Sequence, residues 1–329
     1  VTVTPPVDCW FLTGPTASGK TGLALELARQ IHAEIISLDS MALYRGMEVG
    51  TAKPTPEERA AVPHHLIDLV EPHEEFTLAR YVEEAHRAIE DIRGRGGEVL
   101  FVGGTPLYLK AMLRGIFEGP PADWELRRKL AEEAERDGAD ALHRRLAEVD
   151  PATAERLHPN DQKRVIRALE VYAKTGQSIS DLQRQFDVGR PADQCRVFVL
   201  DWPRDQLYRR IDERVEAMFA AGLVDEVRRL LGVGRKGTGP FSQSEKRDCP
   251  LPPLSRTARQ AVGYREVIEH LGGRHDLAET VELVQRHTRQ LAKRQMTWFR
   301  SLSECRFVRV EGELDVQGVT RRILSESSL

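Results

Sequence analysis

The 329-residue chain carries 48 Lys and Arg against 51 Asp and Glu, a net charge of −3, with 40% hydrophobic and 30% charged residues. That profile excludes a disordered chain, and no run approaches the ~18 apolar residues of a membrane span. The near-neutral balance means that any nucleic-acid contact must come from local basic surfaces.

Length predicts two structural units at roughly 150 residues each. Residues 1–8 lack the basic-then-apolar pattern of a secretory leader. Cys9, Cys195, Cys249 and Cys305 form no CxxC pair. That spacing argues against a zinc site or a disulfide framework and fits a reducing, cytoplasmic setting.

The chain opens with α/β alternation. Residues 7–12 read as a buried strand, and 21–31 as a helix with Leu23, Leu27 and Ile31 on one face. Strands are predicted at 35–38, 66–70 and 99–102, with a helix near 78–92. This order predicts a parallel sheet covered by helices, a P-loop NTPase-like core over residues 1–115.

Past Gly115 the pattern turns helical and charged. Gly119-Pro120-Pro121 is a breaker, and Leu126, Leu130, Leu142 and Leu146 mark apolar positions around Gly138. Asn160 is the expected cap of a helix bearing Val165, Leu169 and Tyr172, which Gly176 stops. Residues 116–194 therefore read as an inserted helical domain. Residues 195–329 return to the core: a strand at 197–200, one long helix over 205–231, and a segment at 232–255 whose Gly, Pro and Ser content predicts a mobile loop.

A final helix is predicted over about 281–300. Val284, Leu291 and Trp298 recur every seven residues, as do Arg286, Lys293 and Arg300, with Arg289 between them. At 100° per residue the two sets fall on opposite faces, one packed and one a basic ridge suited to RNA phosphates. Lys163, Arg164 and Arg167 form a second basic cluster, and Arg127, Arg128 and Lys129 a third. Both lie in the insertion.

The sharpest motif is Gly14-Pro15-Thr16-Ala17-Ser18-Gly19-Lys20-Thr21, a full GxxxxGK[ST] between a strand and a helix. Such a turn aims backbone N–H groups and a helix N-terminus at one anion. Lys20 adds a mobile charge, and Thr21 offers its hydroxyl to Mg²⁺. In parallel α/β sheets ligands sit beyond the carboxyl ends of the strands. The second strand ends in Asp39-Ser40, and the strand at 99–102 ends in Gly103-Gly104-Thr105 with no obvious Walker B acid. A base-like carboxylate and a small hydroxyl thus converge on the phosphate site, which weakens a plain ATPase reading. Asp39 and Thr105 also fit turn or cap roles.

These motifs occur in a family order. Gly14–Thr21, Asp39-Ser40, Tyr44-Arg45-Gly46, Gly50-Thr51-Ala52-Lys53-Pro54, His64-His65-Leu66-Ile67-Asp68 and Gly103-Gly104-Thr105-Pro106-Leu107-Tyr108 resemble those of the tRNA dimethylallyltransferases. The likeness continues through Asn160-Asp161 with Arg164, Arg167-Ala168-Leu169-Glu170, Gly263-Tyr264-Arg265-Glu266, and Thr288-Arg289-Gln290-Leu291-Ala292-Lys293-Arg294-Gln295 before Thr297-Trp298-Phe299. The C-terminal zinc finger of eukaryotic members is absent, so the bacterial type fits.

The resemblance implies transfer of a dimethylallyl group from dimethylallyl diphosphate to the exocyclic amine of the adenosine 3′ of the tRNA anticodon. The expected cofactor is Mg²⁺ on Thr21. Gly14, Pro15, Thr16, Ala17, Ser18, Gly19, Lys20 and Thr21 would hold diphosphate. Arg214 is a candidate second clamp, with a surface ion pair as its other reading. Asp39 would accept the amine proton, and Thr105 would align the reactants. The resemblance places RNA contacts at Asp39, Ser40, Met41, Ala42, Thr105, Arg127, Gln162, Lys163, Arg164, Val165 and Ile166. It places others between Lys293 and Arg300, among them Arg294 and Gln295. The expected partners are the tRNA anticodon stem-loop and dimethylallyl diphosphate, with no membrane and a monomeric chain. Alternatives are an isopentenyltransferase acting on free adenine nucleotide, a small-molecule kinase, and a non-catalytic NTP-switched RNA-binding module.

Overall fold

A computed structural model describes residues 6, 8–117, 119–186, 188–232 and 253–327. In chain order it gives β1 (Trp10–Thr13), α1 (Lys20–Ile31), β2 (Ala33–Ser37), α2 (Pro56–Ala61), β3 (His64–His65), α3 (Leu78–Gly94), β4 (Glu98–Gly103) and α4 (Pro106–Arg114). Five helices follow: α5 (Trp124–Asp137), α6 (Ala139–Val149), α7 (Pro151–Arg156), α8 (Gln162–Thr175) and α9 (Ile179–Gln183). The chain then runs β5 (Arg196–Asp201), α10 (Arg204–Ala220), α11 (Leu223–Leu230), α12 (Arg256–Arg259), α13 (Tyr264–Leu271), α14 (Leu277–Arg300), β6 (Cys305–Arg309) and α15 (Val316–Glu326).

The chain is thus an α/β protein with a parallel-sheet core and helical insertions. Six strands pair in the order β3-β2-β4-β1-β5-β6, and all five pairings are parallel. β1 is buried along its whole length. A strand covered on both faces reads as an unbroken apolar run, which is why Trp-Phe-Leu was legible. Leu23, Ala24, Leu27 and Ala28 of α1 pack into the same core as Leu12, Ile35, Leu100, Phe198 and Leu200. Each fully buried large apolar side chain contributes roughly 1.5–3 kcal/mol.

Contacts divide the chain into two compact units, one over Arg114–Gly189 and one formed by Pro5–Leu113 with Arg190–Leu329. The helical unit has its own core of Leu130, Ala134, Leu142, Leu146, Val165, Ala168 and Leu169. Inside it the carboxylate of Glu170, 0% exposed, takes both Nε (2.9 Å) and Nη2 (2.8 Å) of Arg127 and a further bond from Arg167. Among the described residues no helix is long and apolar enough to cross a membrane.

Several expectations need correction. Residues 66–70 are not a strand: β3 is only His64–His65, and Leu66 and Asp68 take positive φ (59° and 56°). Only an isolated bridge joins Tyr44 to Val70. The helix expected over 205–231 is two helices broken at Gly222, whose φ of 95° suits glycine alone. Asp161, not Asn160, stands at the N-cap of α8, while Gly176 closes it in the left-handed region. Trp298 is 39% exposed, and α14 buries Val284, Thr288, Ala292, Gln295, Met296 and Phe299 instead. A seven-residue step drifts about 20° per heptad on a straight helix, so a strict heptad stripe leaves the packed face. Most of the loop expected at 232–255 lies outside the described residues. Its end, Ser255, caps α12 by accepting the amide of Ala258.

Candidate active site

The P-loop lies where the sequence puts it, beyond the end of β1. Its geometry depends on backbone conformation. Ala17 and Gly19 take positive φ (63° and 85°), and Gly19 stands at the N-cap of α1. The first-turn amides of that helix have no intrahelical acceptors, the arrangement that suits an anion. Side chains from distant elements pin the loop. Trp202 Nε1 donates to Ser18 O at 3.0 Å, Arg210 Nε to Ala17 O at 2.9 Å, and Thr16 N to Gln295 Oε1 at 3.0 Å.

One cavity gathers the charged groups. Ala17, Ser18, Gly19, Lys20 and Thr21 line it together with Asp39, Thr51, Lys53, His64 and Arg214. Ala24, Ile35, Ala42, Pro54, Ile67 and Val102 give it an apolar wall. Lys20 Nζ donates to Gly14 O at 3.0 Å, Pro15 O at 2.7 Å and Ser18 Oγ at 3.3 Å. Burial, reinforced by the Arg214 charge and opposed by Asp39, pushes the Lys20 ammonium down to about 7. Burial also lowers Arg214, again opposed by Asp39. The two cations and the carboxylate therefore act on one another within a single space. Burial likewise lowers the His64 imidazole, whose Nδ1 lies 2.7 Å from Val62 O.

Arg214 is not a surface ion pair. It lines the cavity, and its Nη2 lies 3.4 Å from Thr51 O. The wall bearing Thr51 is held from behind by Glu226, 1% exposed, whose carboxylate accepts the amides of Glu48 (2.9 Å), Val49 (2.8 Å) and Gly50 (3.2 Å). Lys53 Nζ reaches Asp68 at 2.6 Å and Tyr44 O at 2.5 Å. Neither Glu226 nor Lys53 was singled out for a site role. No local motif marks a carboxylate that caps a loop 176 to 178 residues away.

The placement of Asp39 is compatible with both of its readings. Oδ1 accepts the amide of Met41 at 2.8 Å, a turn contact, and the residue lines the cavity. Thr105 sits one layer back. Its Oγ1 accepts the Ser40 amide at 3.1 Å and lies 3.4 Å from Ser40 Oγ, while its carbonyl starts α4. Thr105 thus fixes the turn that carries Asp39, and it is not among the cavity-lining residues.

The residues expected to touch RNA separate by exposure. Gln162, Lys163, Arg164, Lys293, Arg294 and Arg300 are exposed. Arg164 pairs with Asp161, and Arg300 lies 3.7 Å from Asp201. Arg127 is committed to Glu170, Ile166 is half-buried, and Val165 is fully buried in the helical core, which removes its side chain from any RNA surface. Gln295 is 8% exposed and turned to the P-loop, so its side chain is not part of the basic ridge.

A phosphate-cradling loop beside a carboxylate and an apolar wall, at the carboxyl ends of parallel strands, defines an α/β enzyme that handles a phosphorylated substrate. Comparison with known proteins is specific. Residues 42–302 match the family model described as IPP transferase. The chain is 47% identical over 305 residues to a tRNA dimethylallyltransferase of Geobacter metallireducens, covering 93% of each chain. It is 45% identical to that of Thermotoga maritima over 291 residues, 88% of each. It also resembles the solved full-length tRNA isopentenylpyrophosphate transferase of Bacillus halodurans, with 35% identity, a TM-score of 0.65, and coverage of 98% of this chain and 97% of that one. The chain belongs to the IPP transferase family.

Proposed function

We propose that this chain transfers the dimethylallyl group of dimethylallyl diphosphate to the exocyclic amine of the adenosine immediately 3′ of the tRNA anticodon, releasing diphosphate. One observation carries the reading beyond the names of its relatives: Lys20, Arg214 and Asp39 share a cavity that also has an apolar wall. Two cations suit a diphosphate, the wall suits a five-carbon chain, and the carboxylate suits an amine proton.

The P-loop NTPase-like core supplies the diphosphate site, with Lys20, Arg214 and the amides after Thr16 facing the charge that grows on the leaving oxygen. The allylic C–O bond breaks as the amine lone pair forms the new C–N bond. Asp39 takes the proton the nitrogen sheds, and Thr105 holds the Asp39-Ser40 turn. Among the described residues no cluster of three or more His, Cys, Asp or Glu could hold a metal. Mg²⁺ needs no such cage, because it binds through one or two protein oxygens plus substrate phosphates. The Thr21 hydroxyl, on the cavity wall, fits that demand. Bound there, Mg²⁺ would offset diphosphate charge.

The exposed Lys293, Arg294 and Arg300 on α14 and Gln162, Lys163 and Arg164 on α8 are the proposed phosphate contacts to the anticodon stem-loop. The target base must leave its stack to reach Asp39. The protein is read as a cytoplasmic monomer, with its helical unit as an RNA-facing domain. The test is to supply label in the prenyl group of dimethylallyl diphosphate with unmodified tRNA or with AMP. Label in the anticodon loop supports the reading. Label in AMP would assign a free-nucleotide enzyme, and no transfer at all would leave only a binding role.

A further inference from the structure

Gln295 reaches inward to two loops of the site. Oε1 accepts the Thr16 amide at 3.0 Å, and Nε2 donates to the Gly104 carbonyl at 2.6 Å. A Cβ on residue 104 would fall 2.8 Å from that Nε2, so a side chain there would displace the glutamine amide from its present position. Thr16 is the third residue of the P-loop motif. Gly104 follows β4 and leads into Thr105, whose Oγ1 accepts the Ser40 amide beside Asp39.

We propose that Gln295 is a positioning residue, a two-ended tie that fixes the diphosphate loop relative to the turn carrying the acceptor carboxylate. A primary amide can accept from an N–H and donate to a C=O at once, whereas an ionised carboxylate can only accept and a thioether does neither usefully. With both ends engaged, Gln295 sets the spacing between the group that departs and the group that takes the proton. Misplacement of about 1 Å at such a junction costs on the order of 10²-fold in rate. The tie also uses the Thr16 amide internally, so diphosphate is left to the amides that follow it. Lys293 and Arg294, the two residues before it and exposed, make α14 a helix that carries a basic surface outward and a fastening inward.

The inference rests on the proposed diphosphate site, and its test is arranged to fail separately. Gln295→Met and Gln295→Glu are compared with the wild type for binding of inorganic pyrophosphate with Mg²⁺, binding of unmodified tRNA, and kcat and KM for dimethylallyl diphosphate. For Gln295→Met we expect pyrophosphate affinity to fall about tenfold and kcat by about 10–10², with tRNA affinity unchanged. Gln295→Glu should show the same loss near neutrality. Its pyrophosphate affinity relative to wild type should recover as pH falls, because a protonated carboxyl both donates and accepts. That recovery is expected even if the methionine variant folds poorly. Weakened tRNA binding with pyrophosphate affinity and kcat intact would overturn the proposal and make Gln295 an RNA contact. A glutamate variant with no pH-dependent recovery would overturn it too. Wild-type protein that binds pyrophosphate but transfers nothing would sink the reaction while leaving the tie measurable.

Discussion

Tyr264 Oη donates to Glu226 Oε1 at 2.6 Å, closing a ring of four donors around one buried carboxylate. Burial and then the Glu226 charge hold the Tyr264 phenol far above its ordinary value, so it remains a donor at any working pH. Glu226→Ala strands three loop amides behind the wall that carries Thr51. We expect a stability loss of about 3 kcal/mol or more, read as a lower chemical-denaturation midpoint, and a raised KM for the diphosphate substrate. Tyr264→Phe removes one bond to a charged group and should cost about 1.5–3 kcal/mol, with KM moved less.

Lys20 gives a pH signature. Its ammonium is pushed from 10.5 down to about 7 by burial and Arg214. The unfolded chain therefore binds a proton that the folded chain does not over that interval. This group's contribution to stability rises with pH from about 7 to 10.5, and its penalty is full below about 7. A bound diphosphate restores the ammonium, so binding at about pH 8 should take up a proton at this site. Calorimetry in buffers of different ionisation enthalpy reads that uptake as a difference between wild type and Lys20→Met. Lys20→Ala should abolish turnover with the fold and most tRNA affinity retained, and near-normal transfer would remove the diphosphate assignment.

The basic face of α14 is tested by salt. Lys293→Ala with Arg300→Ala should lower the slope of log tRNA affinity against log salt by up to about 2, one for each phosphate contact. Arg289→Ala should leave that slope alone, because Arg289 Nη1 is held by Asp212 at 2.5 Å. An unchanged slope in the double variant would mean the face does not meet phosphate.

In the helical unit Arg127 should matter through stability. Its fork on the buried Glu170 is shared with Arg167. Arg127→Ala should therefore destabilise toward the low end of a broken buried pair, about 3 kcal/mol. Arg127→Lys should rescue only part of that, because Lys cannot make the bidentate contact. If Arg127→Ala instead weakens tRNA binding at full stability, the residue is an RNA contact.

The P-loop was legible because its chemistry is local: eight consecutive residues set the turn, the helix start and the charge. β1 and β4 were legible because strands buried on both faces read as apolar runs. Residues 66–70 misled for the same reason in reverse. Leu66, Ile67, Leu69 and Val70 look like strand, but Leu66 and Asp68 turn left-handed, and the Asp68 carboxylate is held by Lys53 and Arg59. Arg214 fell on the cavity only because α10 packs near the P-loop, a fact of tertiary placement. Glu226 and Gln295 were not legible as structural ties, since their partners lie 38 to 279 residues away and an inward glutamine on a basic helix has no local signature.

The most direct test is single-turnover prenyl transfer by Asp39→Asn at saturating tRNA and dimethylallyl diphosphate, repeated across Mg²⁺ concentrations. Asn keeps the size of the side chain and one acceptor oxygen, so the Met41 turn contact and adenine binding should survive. It cannot take a proton near neutrality, and loss of a general base costs on the order of 10²–10⁴ in rate. The account predicts a loss in that range, insensitive to Mg²⁺, with both substrates still bound. A loss below about threefold, or full recovery at high Mg²⁺, would contradict it and leave Asp39 as a turn residue or a metal ligand.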